Sequence, residues 1–218
     1  MSSPPPIADL PLQWVSVLLA LLVLALAARR LPWFKLRGDL DAQRAWLVFV
    51  VVMIVLRYAV FDRIPGLRLH FLGAAVATLM FGRAFALWAM AVVSLGAWLG
   101  GAGVWLGPAF DFLVCGALPV FWMQWQHEQV QRRLPNHLFV YVFVTAFFGG
   151  ALTALVSQIA RATLLWSLDA DALAVDNYLV AAPLMMFGEA FFTGGALAIL
   201  VVYRPHWVAS FDDARYLR

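Results

Sequence analysis

Charged side chains are scarce in this chain of 218 residues, where Asp, Glu, Lys and Arg together make up 12% of the sequence. A soluble globular domain carries about 25% of these residues, so the composition excludes an ordinary water-soluble fold. Apolar residues account for 64%. Because a chain in lipid must satisfy its own backbone hydrogen bonds, we predict an all-α protein, a polytopic bundle of transmembrane helices.

Cysteine and recognisable catalytic motifs are also scarce. The one cysteine, Cys115, lies inside an apolar run, which excludes an intrachain disulfide framework or cysteine cluster and favours a small buried hydrophobe. The sequence contains no phosphate-cradling loop, dinucleotide fingerprint or arrangement of nucleophile and base. Its net charge of +3 comes from basic residues at the ends of apolar runs, a pattern that argues against a nucleic-acid partner.

Long apolar runs are abundant, and they set the predicted architecture. A helix needs about 20 mainly apolar residues to cross the hydrocarbon core. Short turns that are polar or contain glycine and proline separate the runs. The predicted spans are residues 12–28, 45–61, 69–82, 84–100, 108–125, 138–165 and 178–203.

The number of spans depends on whether residues 69–99 form two short spans that turn at Gly82-Arg83 or one long element. Basic residues concentrate in cytoplasmic loops, so their distribution discriminates between the two topologies. If residues 69–99 form two spans, eleven basic residues lie on one side of the membrane and two on the other. If they form one span, five basic residues lie on one side and seven on the other. We therefore predict about seven spans, with the N-terminus outside and the C-terminus inside (N-out/C-in). The larger group is Arg29, Arg30, Lys35, Arg37, Arg44, Arg83, Arg132, Arg133, Arg204, Arg215 and Arg218, and Arg63 and Arg68 lie opposite.

This topology makes the chain, residues 1–218, a single integral membrane domain. It divides into an outer lead-in at residues 1–11, a helical bundle at 12–203 and a cytoplasmic tail at 204–218. We expect a multi-pass protein of a bacterial-type cytoplasmic (inner) membrane, in contact with the lipid bilayer over most of its surface.

Two predicted loops carry polar residues with two interpretations each. The outer loop before the last span contains Asp169, Asp171 and Asp176, which would either attract cations or form a solvated loop without positive charge. An inner loop contains His127, Glu128 and His137, which flank Arg132-Arg133. It is interpreted as a solvated loop or as a docking surface for a cytoplasmic partner.

Ionisable residues inside the spans are few, and most share one level. Arg57, His70, Asp111 and Arg161 lie toward the predicted outer ends of their spans, and Glu189 lies near the middle of the last one. Such residues are costly in hydrocarbon and are functional candidates by default. An imidazole and two carboxylates suit divalent first-row transition metals. We therefore predict a metal site formed by His70, Asp111 and Glu189.

Each of these residues also has a structural interpretation. Arg57 and Arg161 would snorkel to the interface or neutralise Asp111 and Glu189. His70 would cap a helix or bond a carbonyl, and Asp111 would start a helix. Glu189 is the hardest to explain structurally, because a carboxylate at mid-membrane must find a partner or take up a proton.

Two short patterns point to a known family. The first is a histidine followed three residues later by glycine, with a further glycine at the end of the predicted span: His70-Phe71-Leu72-Gly73 and Met80-Phe81-Gly82. The second surrounds the last span: Pro183, Glu189, Thr193 and Arg204-Pro205. With these patterns the chain resembles the cobalt/nickel-transport membrane proteins of the CbiM/NikM type.

The resemblance implies a substrate-capture subunit of an energy-coupling-factor transporter, which works with a transmembrane coupling protein and cytoplasmic ATPases. It implies a divalent transition metal as substrate, nickel or cobalt, with His70 as a ligand and Glu189 at the position of the family's glutamate. The family's other ligands come from an N-terminal Met-His, whereas this chain begins Met1-Ser2-Ser3-Pro4. We favour a permease component without enzymatic activity. A membrane-embedded metalloenzyme and a non-catalytic scaffold subunit are the alternatives.

Overall fold

Helices joined by short turns build the part of the chain that the computed structural model describes, which comprises residues 10–31, 39–58, 67, 69–101, 107–168 and 172–216. The all-α prediction is confirmed for these residues. The long helical elements are α1 (Leu10–Arg29), α2 (Leu40–Tyr58), α3 (Ala74–Leu99), α4 (Pro108–Asp111, continued by Phe112–Ala117 and Leu118–Arg133), α5 (Val140–Phe148, continued by Gly149–Ser167) and α6 (Ala172–Tyr203).

The sequence explains where several of these helices begin and end. Pro11 and Pro108 stand in the first turns of α1 and α4, where the missing backbone N–H is not needed. Arg29 closes α1, and Arg132 and Arg133 close α4. Basic side chains at these positions interact favourably with the partial negative charge at a helix C-terminus.

Four helical segments are long and apolar enough to cross a membrane by length and composition, which supports an integral membrane protein. The count of about seven spans and the N-out/C-in orientation stay predictions, as does the division into one domain with a lead-in and a tail. The four segments are Pro11–Arg29, Ala74–Leu99, which is interrupted at Gly82, Val140–Ser167 and Ala172–Tyr203.

Three predictions are changed or left outside the described residues. Asp176 is not in a loop, because α6 begins at Ala172; Asp169 and Asp171 lie outside the described part. His127 and Glu128 are not in a loop either, because α4 continues to Arg133, whereas His137 does lie in the connection after it. Most of the predicted lead-in and the last residues of the span at 45–61 also lie outside that part.

The helix α3 is interrupted at Gly82, whose φ of 74° and ψ of 163° are not helical. Glycine adopts positive φ without the steric conflict that a Cβ brings. The first arm of α3, before Gly82, runs along α2. Gly73 packs against the side chain of Met53, and the rings of Phe81 and Phe49 lie 5.5 Å apart. As the residue number rises along this arm, its contacts move backward along α2.

The second arm of α3, after Gly82, contacts the same helix in the opposite order. Nε1 of Trp46 donates a hydrogen bond to the carbonyl of Phe85 at 3.2 Å. A Cβ on Gly96 would lie 2.7 Å from Ile54. Contacts now move forward along α2, so the chain reverses at Gly82, where the charge pattern predicts a turn.

The segment after α6 folds back onto the bundle beside this reversal. The backbone N–H of Ala209 donates to the carbonyl of Met80 at 2.9 Å, and that of Ser210 donates to Leu79 at 3.1 Å. These carbonyls end the first arm of α3, and the break at Gly82 leaves them without partners in their own helix. The tail therefore caps the reversal. We call this end of the bundle, with Gly82 and the tail residues 208–216, the tail end.

A cavity of about 470 Å³ lies at the tail end, between α3, α4 and the tail. Gln131 links two of these elements, since its Nε2 lies 2.9 Å from Nε2 of His127 and donates to the hydroxyl of Tyr216 at 3.0 Å. The side chains around this space combine neutral hydrogen-bonding groups with three charged residues and one phenylalanine ring. Its lining includes Arg83, Gln124, His127, Glu128, Phe211 and Asp212.

Candidate metal centre at the His70 end

The opposite end of the bundle collects the polar residues predicted to share one level. Arg57 comes from the last turn of α2, His70 from the turn before α3, Asp111 and Cys115 from α4, and Arg161 from α5. We call this the His70 end. α4 is widened there, because Phe112–Ala117 is π-helical. Such widened turns are rare and occur frequently at functional sites.

Asp111 is held in a buried ion pair. Arg57 is only 2% exposed, and its Nη1 donates to the two Asp111 oxygens at 2.9 and 2.8 Å. The hydroxyl of Ser94 donates to Oδ2 of Asp111 at 2.6 Å. Two donors of Arg57, Nε and Nη2, find no partner among the described residues. A buried pair is tolerated when further hydrogen bonds satisfy its charges, so Ser94 is part of the pair.

The contacts of His70 define which of its nitrogens carries the proton. Nδ1 lies 3.2 Å from the carbonyl oxygen of Phe71, which only accepts, so Nδ1 is assigned as the protonated nitrogen. Nε2 then accepts from Nη2 of Arg161 at 2.8 Å, and Nη1 of Arg57, which donates to Asp111, lies 3.2 Å from it. The imidazole is thus neutral, with its lone pair turned into the cluster. This is the form that binds a metal ion.

Cys115 belongs to the same cluster, which the sequence did not predict. Its side chain is buried, as expected of a small hydrophobe, but its sulfur lies 2.7 Å from Nη2 and 3.2 Å from Nε of Arg161. The available signal was spacing, because Cys115 follows Asp111 by four residues and residues four apart share a helix face.

The donor atoms of His70, Asp111 and Cys115 all lie within 4.8 Å of one another. Nitrogen, oxygen and sulfur ligands at about 2.0–2.3 Å from a tetrahedral metal are roughly 3.5 Å apart. Side-chain movements of about 1 Å would therefore bring the three atoms into ligand geometry. Among the described residues, this is a group with the right chemistry for a transition metal.

Glu189 contacts the turn that carries His70. Its side chain is 1% exposed, and its carboxylate accepts a hydrogen bond from the backbone N–H of Leu72. Leu72 lies in the turn that carries His70. The structure thus brings His70 and Asp111 together, whereas Glu189 reaches the same turn through the backbone. Its role as a ligand stays a prediction.

Neutralisation of Asp111, one of the two roles considered from sequence for the arginines, is observed for Arg57. Arg57 is buried and neutralises Asp111. Arg161 lies against His70 and Cys115, with its guanidinium carbon 5.7 Å from the ring centroid of Tyr178. Asp111 is the last residue of the first segment of α4 and caps no helix by its side chain.

An all-helical bundle with apolar helices of membrane-spanning length defines an integral membrane protein, and its part-buried imidazole and carboxylate beside a buried thiol are donor types that transition metals use. The family model described as the cobalt uptake substrate-specific transmembrane region, CbiM, matches residues 5–207. The chain belongs to this family, and the resemblance noted from its sequence is confirmed. It is a membrane component of cobalt uptake. No curated protein and no solved structure matches the chain.

Proposed function

We propose that the protein is the substrate-capture permease component of an energy-coupling-factor transporter for a divalent transition-metal cation. The observation that carries the proposal is the proximity of a neutral His70 and the Asp111 carboxylate, in a partly buried group whose donor atoms lie within 4.8 Å of one another. Membership of the CbiM family supports cobalt as the substrate. Nickel is the next candidate, because imidazole and carboxylate ligands suit both ions.

In this proposal the His70 end faces the outside of the cytoplasmic membrane and receives the ion. The tail end faces the cytoplasm, where a transmembrane coupling protein and ATPases drive the movement that releases it. The concentration of basic residues in alternate loops supports this orientation.

Two of the three predicted ligands are retained in direct roles. His70 and Asp111 bind the ion, and Glu189 holds the turn that positions His70 through the N–H of Leu72. A bound metal needs a neutral imidazole and an ionised carboxylate, so its affinity should weaken as the pH falls, when protons compete for both groups.

Equilibrium dialysis of the purified full-length chain in detergent tests the proposal with Co²⁺, Ni²⁺ and Zn²⁺ at neutral and acidic pH. We expect Co²⁺ to bind, and we expect His70→Ala to weaken it by at least about 10- to 100-fold, the range seen when even an outer-shell partner is lost. His206→Ala is the matched control, because His206 is exposed just after α6. Equal stoichiometry and affinity in His70→Ala would remove His70 from the site.

Membership of a transport family favours transport over the metalloenzyme alternative. Such an enzyme would use the same residues around an open coordination position, where a bound water becomes nucleophilic. Turnover of a small substrate by the purified chain, without ATPase partners, would reverse this preference.

A further inference from the structure

We propose that Cys115 is a third ligand of the metal and that Arg161 is a resident cation which occupies the donor atoms until the metal replaces it. The inference rests on the proposed function, since it concerns the same site. It adds a ligand that the sequence did not predict, a reason for selectivity and a mechanism of exchange.

The position of one nitrogen atom is the starting point. Nη2 of Arg161 lies 2.8 Å from Nε2 of His70 and 2.7 Å from Sγ of Cys115. A single positively charged group thus bridges two of the three clustered donor atoms. A metal ion bound by His70 and Cys115 would have to occupy this same region.

Simultaneous occupancy by the guanidinium and the metal is excluded on two grounds. Nε2 of His70 has one lone pair, which cannot both accept from Arg161 and bind a metal. A divalent cation a few ångströms from a guanidinium would also be strongly repelled in a poorly solvated site. Arg57 also faces this nitrogen, at 3.2 Å, but its charge is compensated by Asp111, so binding of the metal requires Arg161 to move away.

Groups that would receive the displaced guanidinium lie next to it. Oε1 of Gln158 is 3.5 Å from Nη1 of Arg161, and the ring of Tyr178 already lies beside the guanidinium. Gln158 is 2% exposed. A small rotation of Arg161 toward these groups would uncover His70 and Cys115 while retaining hydrogen-bonding and cation–π partners.

The chemistry at Cys115 is an exchange of a proton for the metal. The S–H bond breaks as the sulfur–metal bond forms, and the proton leaves to solvent without any change of oxidation state. Because His70 is already neutral and Asp111 is ionised in the pair with Arg57, the thiol is the group that releases this proton. A thiolate ligand favours cobalt, nickel or zinc over magnesium, calcium or manganese.

Cobalt(II) is itself the probe for the first test, since a thiolate bound to Co²⁺ gives an intense near-ultraviolet charge-transfer band. Titration of the wild-type chain with Co²⁺ should produce this band and release about one proton per ion, measured in weakly buffered solution. Cys115→Ser should bind Co²⁺ without the band and without the proton. A wild-type spectrum with no thiolate band, or an unchanged spectrum in Cys115→Ser, would overturn the role of Cys115.

The second test concerns Arg161. Replacement by Gln removes the competing charge, so Arg161→Gln should bind Co²⁺ at least about tenfold more tightly than the wild type. Arg161→Lys retains a cation and should stay near the wild-type affinity. Arg83→Gln, which removes a charge from the tail end, is the matched control. Equal or weaker Co²⁺ binding by folded Arg161→Gln would overturn the exchange mechanism. The role of Cys115 does not depend on this variant, because the titration of the wild-type chain decides it.

The failures of the two proposals are distinguishable. Absence of Co²⁺ binding to the wild-type chain would refute the proposed function together with the inference. Binding that depends on His70 but gives neither a thiolate band nor a released proton would refute the inference alone.

Discussion

The two ends of the bundle hold their elements together by different means. At the His70 end, a buried ion pair and charged hydrogen bonds join α2, α4 and α5. At the tail end, neutral groups make the contacts: the hydroxyls of Tyr141 and Ser210 lie 2.7 Å apart, and the rings of Phe211 and Tyr216 stack with centroids 5.2 Å apart. Charged groups in a buried site have few alternative partners, whereas neutral groups beside a cavity of about 470 Å³ can exchange theirs with water.

This difference assigns the two ends different tasks. The His70 end keeps Arg57 and Asp111 together, because separating them would leave a charge unpaired. The tail end can rearrange at lower cost, since each neutral hydrogen bond contributes only about 1 kcal/mol. We expect movement that releases the ion to occur at the tail end. Substitutions made at only one of the two ends test this division.

The largest effect is expected from the ion pair. Arg57→Met leaves the Asp111 carboxylate buried without its main partner and should lower the free energy of unfolding by about 3 to 5 kcal/mol. The measurement is unfolding by SDS titration in mixed micelles. The double variant Arg57→Met with Asp111→Leu should recover most of this loss, because it removes both charges.

Arg83→Met is the tail-end control for this prediction. Arg83 forms no salt bridge among the described residues and lies over the ring of Phe121 at 6.0 Å. Its replacement should change the free energy of unfolding by no more than about 0.5 kcal/mol. Equal losses in Arg57→Met and Arg83→Met would contradict the contrast between the two ends.

Much of this contrast could be predicted from sequence, because depth along a transmembrane helix is readable from the apolar runs. Distances from the ends of the apolar runs place four ionisable residues at one level: Arg57, His70, Asp111 and Arg161. The reversal at Gly82 could be predicted as well, since the charge pattern is biased only when the chain turns there.

Partners within one level could not be predicted, because they depend on how each helix is rotated about its axis. Glu189 was predicted as a ligand from its depth, but packing turns it toward the backbone of Leu72. The contact between Cys115 and Arg161 joins positions 46 residues apart on a π-helical segment whose angular spacing differs from that of an α-helix. The four-residue spacing from Asp111 places Cys115 on the same helix face but gives no sign of the contact with Arg161.

A smaller effect is expected from Ser210 at the tail end. Its hydroxyl donates to the carbonyl of Leu79 at 2.8 Å and accepts from buried Tyr141. Ser210→Ala should lower the free energy of unfolding by about 1 kcal/mol and leave the Kd for Co²⁺ unchanged. Ser167→Ala is the control, because Ser167 is exposed and bonds only within its own helix. A changed Kd in Ser210→Ala would mean that the two ends are coupled in the ground state.

The smallest effect is expected from Glu189→Gln, which separates positioning from ligation at the His70 end. The amide oxygen of glutamine can still accept from the N–H of Leu72, so the turn that carries His70 should keep its place and the Kd for Co²⁺ should change by less than about threefold. If Glu189 instead binds the ion directly, the substitution removes a charged ligand from the site. The Kd for Co²⁺ should then rise as far as it does in His70→Ala. Equilibrium dialysis of the two variants side by side measures the difference. Because Gln preserves size and hydrogen bonding while removing charge, a large loss in Glu189→Gln with normal thermal stability would return Glu189 to the ligand set predicted from the sequence.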